Sequence, residues 1–349
     1  MHEARFWEQG ENGDVRCRLC RFHCRIAPGR VGLCGVRENH DGTLYTRVYG
    51  RSITEAVDPI EKKPLYHVEP GSLSFSIATV GCNFRCLHCQ NYQISQWPSE
   101  RGQVAGERLT PAEVVRRARA AGCRSIAYTY TEPTIYYEYA FDTAVLARRA
   151  GLRNIFVSNG YIETAPLEAI APWLDAANID LKGFRDDVYR KLTGASLDGV
   201  LATMRDYRRL GIWLEVTTLI IPGINDDDGQ LKGIAGFIAD ELGPEVPWHV
   251  TAFYPTYRLL DAPPTSPEIL CRARQFGLDA GLRHVYTGNV HDPEGGHTYC
   301  AGCGRKVIKR RGFQVVSLRL DNGCCRQCGN RLAGLFNIGP GGEKGTSCA

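Results

Sequence analysis

Between residues 73 and 290, short β-rich runs alternate with longer stretches of helical character, and this alternation narrows the fold more than any other feature. The runs are LSFSIATV (73–80), SIAYTY (125–130), NIFVSN (154–159), AANIDLK (176–182), WLEVTTLII (213–221) and WHVTAFYP (248–255), with HVYTGNV (284–290) as a seventh candidate. Strands separated by helical segments pair in parallel, because the helix carries the chain back to the edge from which it started. Helix signals fall in the gaps. Thr110, Pro111 and Glu113 form a capping box with proline at the first helical position, followed by Val114, Val115 and Ala118 on one face. Ser266, Pro267 and Glu268 open a later helix, and Gly281 ends it. About six such repeats predict an α/β chain built on a partial (β/α)6 TIM-like barrel over residues 73–296.

Cysteine usage divides the rest. The 349 residues include 15 cysteines, and the N-terminus, MHEARFWEQGENGD, lacks the apolar centre of a secretion signal. A disulfide framework is therefore not expected, and tight clustering points to metals instead. One cluster, Cys17, Cys20, Cys24 and Cys34, lies in an N-terminal extension (1–72). A second, Cys82, Cys86 and Cys89, follows the first strand. A third, Cys300, Cys303, Cys324, Cys325 and Cys328, lies in a small module at 297–336, before a glycine-rich tail (337–349) expected to be disordered. Charge is balanced, +4 from 42 basic and 38 acidic residues, which argues against nucleic acid as the main partner. No apolar run is long enough to span a bilayer, so a cytoplasmic protein without a membrane partner is expected.

The stretch GCNFRCLHCQN (81–91) puts three thiolates on one loop at the C-terminal end of a barrel strand, the face that carries chemistry in βα barrels. A structural zinc site wants four ligands. His88, the nearest candidate, adjoins Cys89 and would normally point elsewhere. A 4Fe–4S cluster on three cysteines accounts better for the spacing, since thiolates are its usual ligands and one iron is left open. CNFRCLHC resembles the signature of radical S-adenosylmethionine (SAM) enzymes. The longer string KKPLYHVEPGSLSFSIATVGCNFRCLHCQNYQISQ (62–96) is similar to that of the AmmeMemoRadiSam system radical SAM enzymes, relatives of the pyruvate formate-lyase-activating enzymes.

The resemblance implies a reaction and a set of contacts. SAM chelates the open iron, and reductive cleavage gives a 5′-deoxyadenosyl radical that abstracts hydrogen from a protein or small-molecule substrate. Cys82, Cys86 and Cys89 would hold the cluster. Glu132, in YTYTEPT, would accept from the SAM ammonium, with Thr129, Tyr130 and Thr131 replacing the usual glycines. Ser158 and Asn159, in SNGY, match ribose-contacting positions. Lys182 suits the SAM carboxylate and Asp180 the surrounding polar network; Ile221, in LIIPGIND, lies on the adenine side. Tyr254 or Pro255 stands where many relatives have histidine. Taken singly, Glu132 reads equally well as a helix N-terminal carboxylate and Asp180–Lys182 as a structural ion pair. Together, at strand ends on the cysteine face, they point to a site. Lys63 and His67 belong to the signature string and read as structural. The resemblance also implies a low-potential electron donor of flavodoxin or ferredoxin type, and Memo-like and AMMECR-domain proteins as partners.

YCAGCG (299–304) and CCRQCG (324–329) are paired knuckles at zinc-ribbon spacing, with Cys300, Cys303, Cys325 and Cys328 as ligands. The spacing of Cys17, Cys20, Cys24 and Cys34 suits zinc and a second iron–sulfur cluster equally. Two other functions compete with SAM cleavage in general: activation of a glycyl-radical enzyme, and a non-enzymatic metal module for electron transfer or binding. A conventional methyltransferase would need a glycine-rich turn after its first strand, where this chain has three thiols.

Overall fold

The computed structural model describes residues 1–290 and 292–336; the expected tail, with Cys348, lies outside the described residues. Eight strands form the main sheet: β1 (Thr54–Pro59), β2 (Leu73–Ala78), β3 (Ser125–Tyr128), β4 (Arg153–Ser158), β5 (Ala176–Asp180), β6 (Trp213–Ile220), β7 (Trp248–Ala252) and β8 (Val285–Gly288). They lie side by side in chain order. From β2 to β8 every pairing is parallel, and only β1 runs antiparallel, against β2. The seventh run thus joins the sheet, and β1 carries the sheet back into the segment expected to be an N-terminal extension.

Helices cover the outer face: α1 (Pro111–Ala120), α2 (Tyr137–Arg149), α3 (Thr164–Ile170), α4 (Asp186–Thr193), α5 (Leu197–Arg209), α6 (Asp228–Phe237) and α7 (Pro267–Asp279). Thr110 caps α1 by accepting from the Glu113 amide at 3.3 Å, worth about 1 kcal/mol. Glu113 does not complete the capping box; its carboxylate binds Arg116 and Arg117 instead. Gly281, at φ +93°, follows α7 in the left-handed conformation. Every residue of β3 is buried, as a parallel strand covered on both faces requires. No described helix is long and apolar enough to cross a membrane.

The two flanking segments sit at opposite ends of the barrel. At the N-terminal ends of the strands, residues 64–68 close the barrel around Glu215 on β6. This buried carboxylate accepts from the amides of Tyr66 and His67, from Trp213 Nε1, and pairs with His249 Nε2 at 2.7 Å. Burial pushes its carboxyl up, but the His249 bond and charge and the amide donors outweigh that and hold it low. Against this plug packs the C-terminal module, a three-stranded antiparallel sheet (Thr298–Tyr299, Lys306–Arg311, Gln314–Leu318) and a short hairpin. Arg310 donates to the Tyr66 carbonyl and to Thr298 Oγ1. His67 joins the two parts: Nδ1 lies 2.7 Å from the Ala333 carbonyl, and Nε2 lies 2.7 Å from the Tyr286 hydroxyl, itself 2.8 Å from Thr298 Oγ1. Those partners are met by a neutral ring that donates from Nδ1 and accepts at Nε2.

Burial, with the neighbouring His284, lowers the pKa of His67 to about 3; burial, with Arg283, lowers that of His284 to about 4. Above pH 6.5 both rings are neutral, folded or unfolded, and cost nothing. Below it the unfolded chain takes up protons that the folded chain refuses. Stability is therefore expected to fall by up to about 1.4 kcal/mol per pH unit per histidine as pH drops from 6.5 toward 4. Thermal melts at pH 7 and pH 5 check this; equal melting temperatures would contradict it.

Candidate functional site

The loops after β2, β3, β4, β5 and β8 and the C-terminal halves of β6 and β7 surround one cavity of about 360 Å³, within the range of small-ligand sites. Cys82, Cys86 and Cys89 line it, and so do Ser158, Asn159, Asp180 and Lys182. These seven expected site residues therefore share one concave surface. Each comes from a strand end, because a period-2 chain leaving a parallel sheet delivers its last side chains to the same edge.

The cysteine loop is held from several sides. Cys82 Sγ accepts from the Phe84 amide at 3.4 Å and lies 3.8 Å from Asn159 Nδ2, while Cys89 Sγ is 3.3 Å from Ser95 Oγ. Burial pushes the Cys86 thiol up to about 12, so metal binding must displace a proton. The three sulfurs are not all within 4.8 Å of one another, and His88 forms no such group with them. The Cys3His zinc reading, which needs four converging ligand atoms, gains no support here. Three thiol ligands lining a cavity with polar groups opposite are a donor set that suits a 4Fe–4S cluster with one corner turned to the cavity.

Lys182 Nζ lies 2.8 Å from Asp180. Burial opposes its charge, but Asp180 and the Cys86 sulfur outweigh burial and hold the ammonium well above the usual lysine range. A fixed cation thus faces the cysteine loop.

Glu132 does not line the cavity. Its buried carboxylate accepts from the amide and hydroxyl of Thr134, from Ser158 Oγ at 2.8 Å and from the Asn159 amide at 2.8 Å. The expectation that it meets the SAM ammonium gives way to an internal role: it fastens the β3 loop to the β4 loop and so fixes Ser158 and Asn159. Burial pushes its carboxyl up, while the four donors pull it back. Ile221 is also displaced from expectation, buried in a small apolar cluster with Leu192 and Phe253; its neighbour Leu219 reaches the cavity. Tyr254 is 52% exposed and absent from the cavity wall, two residues beyond the end of β7 at Ala252.

Other lining residues stand outside the expected contact set. Tyr130 stands in left-handed backbone at φ +63°, a conformation that favours glycine and costs a residue with Cβ about 1 kcal/mol or more. Its hydroxyl donates to Asp58 at 2.6 Å, and Lys63 Nζ sits 2.7 Å from the same carboxylate and 4.4 Å from the tyrosine ring centre. Burial opposes ionisation of Asp58, yet Lys62, Lys63 and Tyr130 together hold it well below the ordinary range. Lys63 thus anchors one cavity wall. The sequence shows a tyrosine in a glycine position, but its partners Asp58 and Lys63 are distant from it in the chain. Thr217, Thr251 and Asn289 complete the far wall.

Two further cysteine groups stand outside the cavity. Sulfurs of Cys300, Cys303, Cys325 and Cys328 all lie within 4.8 Å of one another, closed enough for one metal ion. Cys17, Cys20, Cys24 and Cys34 surround a separate small cavity and do not close in that way.

A family model described as the radical SAM superfamily matches residues 76–231, the span that carries the cysteine loop and the β3 to β6 strand ends. An uncharacterized protein of Methanocaldococcus jannaschii is 46% identical over 95% of this chain and 99% of its own length. The chain belongs to the radical SAM superfamily. Radical SAM enzymes use a 4Fe–4S cluster to cleave SAM reductively, and this is the general function of the chain; its substrate is a separate question. The pyruvate formate-lyase-activating enzyme of Clostridium pasteurianum is 22% identical over 45% of this chain and 66% of its own length. The isethionate sulfite-lyase activating enzyme of Nitratidesulfovibrio vulgaris is 29% identical over 45% of this chain and 54% of its own. Streptococcus suis SuiB, solved bound to S-adenosylmethionine, shares the fold at a TM-score of 0.50 and 12% identity, covering 66% of this chain and 53% of that one.

Glu132→Gln keeps the size of the side chain but sets an amide donor among donors. It is expected to cost about 2–3 kcal/mol in chemical denaturation. A loss under about 0.5 kcal/mol would mean that the carboxylate is not the fastener of these loops.

Proposed function

We propose that this radical SAM enzyme binds SAM in the cavity of Cys82, Cys86 and Cys89 and abstracts hydrogen from a protein or small molecule as a member of the AmmeMemoRadiSam system. The observation that carries the cofactor reading is the convergence of the three thiols with Ser158, Asn159, Asp180 and Lys182 on one cavity. With cluster and SAM bound, reductive cleavage supplies the 5′-deoxyadenosyl radical. The chain's own residues do the rest. Lys182 offers its charge to the SAM carboxylate, and Asp180 keeps that ammonium aimed. Ser158 and Asn159 offer polar contacts to the ribose, in positions held by Glu132. Leu219 offers an apolar surface on the adenine side. The Tyr130–Lys63–Asp58 wall borders the space left for substrate.

The system assignment is supported by the string at 62–96. It implies Memo-like and AMMECR-domain partners and a flavodoxin- or ferredoxin-type donor. Zinc at Cys300, Cys303, Cys325 and Cys328 is supported by the closure of the four sulfurs, and there it would hold together a module with a core of few residues. A second reading, activation of a glycyl-radical enzyme, is favoured by the names of relatives that match under half of this chain. A glycyl radical seen by EPR on a partner protein would decide for it.

Anaerobically reconstituted protein, given dithionite and SAM, is expected to form 5′-deoxyadenosine. Cys86→Ala should abolish the product, and Lys182→Met should raise the KM for SAM about tenfold or more, the equivalent of one charged contact. Product formation unchanged in Cys86→Ala would remove the reading.

A further inference from the structure

Cys17, Cys20, Cys24 and Cys34 line a small cavity together with Arg37 and Asn83. Three observations say what it holds. The first is spacing. Zinc–sulfur bonds of about 2.3 Å place the thiolates of a tetrahedron roughly 3.8 Å apart, and the C-terminal quartet fits, with Cys300–Cys328 at 3.5 Å and Cys303–Cys325 at 3.8 Å. No three sulfurs of the N-terminal quartet lie within 4.8 Å of one another. Like Cys82, Cys86 and Cys89, they form no group as tight as the C-terminal one.

The second is unmet polarity. Arg37 is buried, and its Nη2 donates to the Arg5 carbonyl and to Glu138, yet Nε and Nη1 have no partner. Asn83 Nδ2 is likewise buried and unpartnered. Buried donors of this kind call for an acceptor, and sulfur atoms of an anionic cluster supply one.

The third is position. The quartet abuts the active-site loop, whereas the C-terminal quartet lies at the far end of the barrel. A Cβ added to Gly81, the residue before Cys82, would come within 2.9 Å of the Cys34 carbonyl oxygen, so the two loops touch backbone to backbone. Arg85 donates to the Cys82 carbonyl at 2.9 Å and also to the Leu33 carbonyl. Asn83, on the cavity wall, accepts from Asn159, whose amide reaches Cys82 Sγ. Zinc carries no electrons; iron–sulfur clusters do.

We propose that Cys17, Cys20, Cys24 and Cys34 hold a second four-iron cluster that passes single electrons to the cluster of Cys82, Cys86 and Cys89. One electron enters from a low-potential one-electron donor protein, which is oxidised. The same electron leaves to the active-site cluster, which is reduced, and the second cluster returns to its starting state. The destination of the electron rests on the radical SAM reading; the existence of the cluster does not.

The experiment separates the two. Full-length Cys82→Ala/Cys86→Ala/Cys89→Ala protein, reconstituted without air, is expected to keep about four irons and an EPR signal on reduction by dithionite. Protein without iron, or with about two zinc ions per chain, overturns the proposal whatever the wild type does with SAM. Cys20→Ala/Cys24→Ala should keep its active-site iron and its C-terminal zinc but lose rapid reduction by reduced flavodoxin, followed by EPR; an unchanged rate overturns the relay. Should that variant lose its zinc as well, Arg37→Met carries the test. Removing a cation beside the cluster should shift one of two EPR-monitored potentials to a more negative value, and two unmoved potentials overturn the assignment.

Discussion

A parallel sheet wrapped by helices buries both of its faces, so its strands can present polar chemistry only where they end. Here that constraint brings three thiols, a fixed ammonium and a hydroxyl–amide pair to one cavity from segments running from Cys82 to Lys182. The arrangement needs its loops held in register with one another, and buried carboxylates do this. Glu132 binds the β3 loop to the β4 loop through four donors. Glu215 does the same at the other end, closing the barrel with residues 66 and 67 and with His249. A buried charge with every oxygen satisfied tolerates little displacement, because moving a donor exposes the full desolvation penalty.

The flanking cysteine modules use the same barrel differently. The C-terminal module docks on the closed end through Arg310, Thr298 and His67, far from the cavity, and its four sulfurs converge as a single ion requires. The N-terminal extension reaches the open end, pairs its loop with Ile162 after β4, and packs Phe22 against Phe84 and Tyr161. A structural metal belongs where nothing reacts. A redox centre is useful only beside the loop it serves.

Much of this was legible in the chain. Strand order and the helices at α1 and α7 followed from periodicity, capping residues and a terminal glycine, all local signals. The cysteine loop was legible because three ligands within eight residues need no tertiary help to meet. The direction of a side chain was less so. Glu132 was recognised as important, but a buried carboxylate turns toward whichever donors the fold leaves nearest, and those came from β4. Tyr254 stands where many relatives have histidine, but the strand before it stops at Ala252 and leaves the tyrosine exposed. Tyr130 looked like a misplaced glycine; only the distant Asp58 and Lys63 explain how it is held in left-handed backbone.

By itself, the sequence determined the parallel α/β architecture, the three thiol groups and the polarity of the strand ends, since each depends on residues close together in the chain. Tertiary structure alone decided which carboxylate holds the loops, which cysteine quartet draws its four sulfurs together, and which lies beside Gly81 and Cys82. Those outcomes turn on distances between segments that the chain order leaves free, and on burial, which sets the partner of every charge.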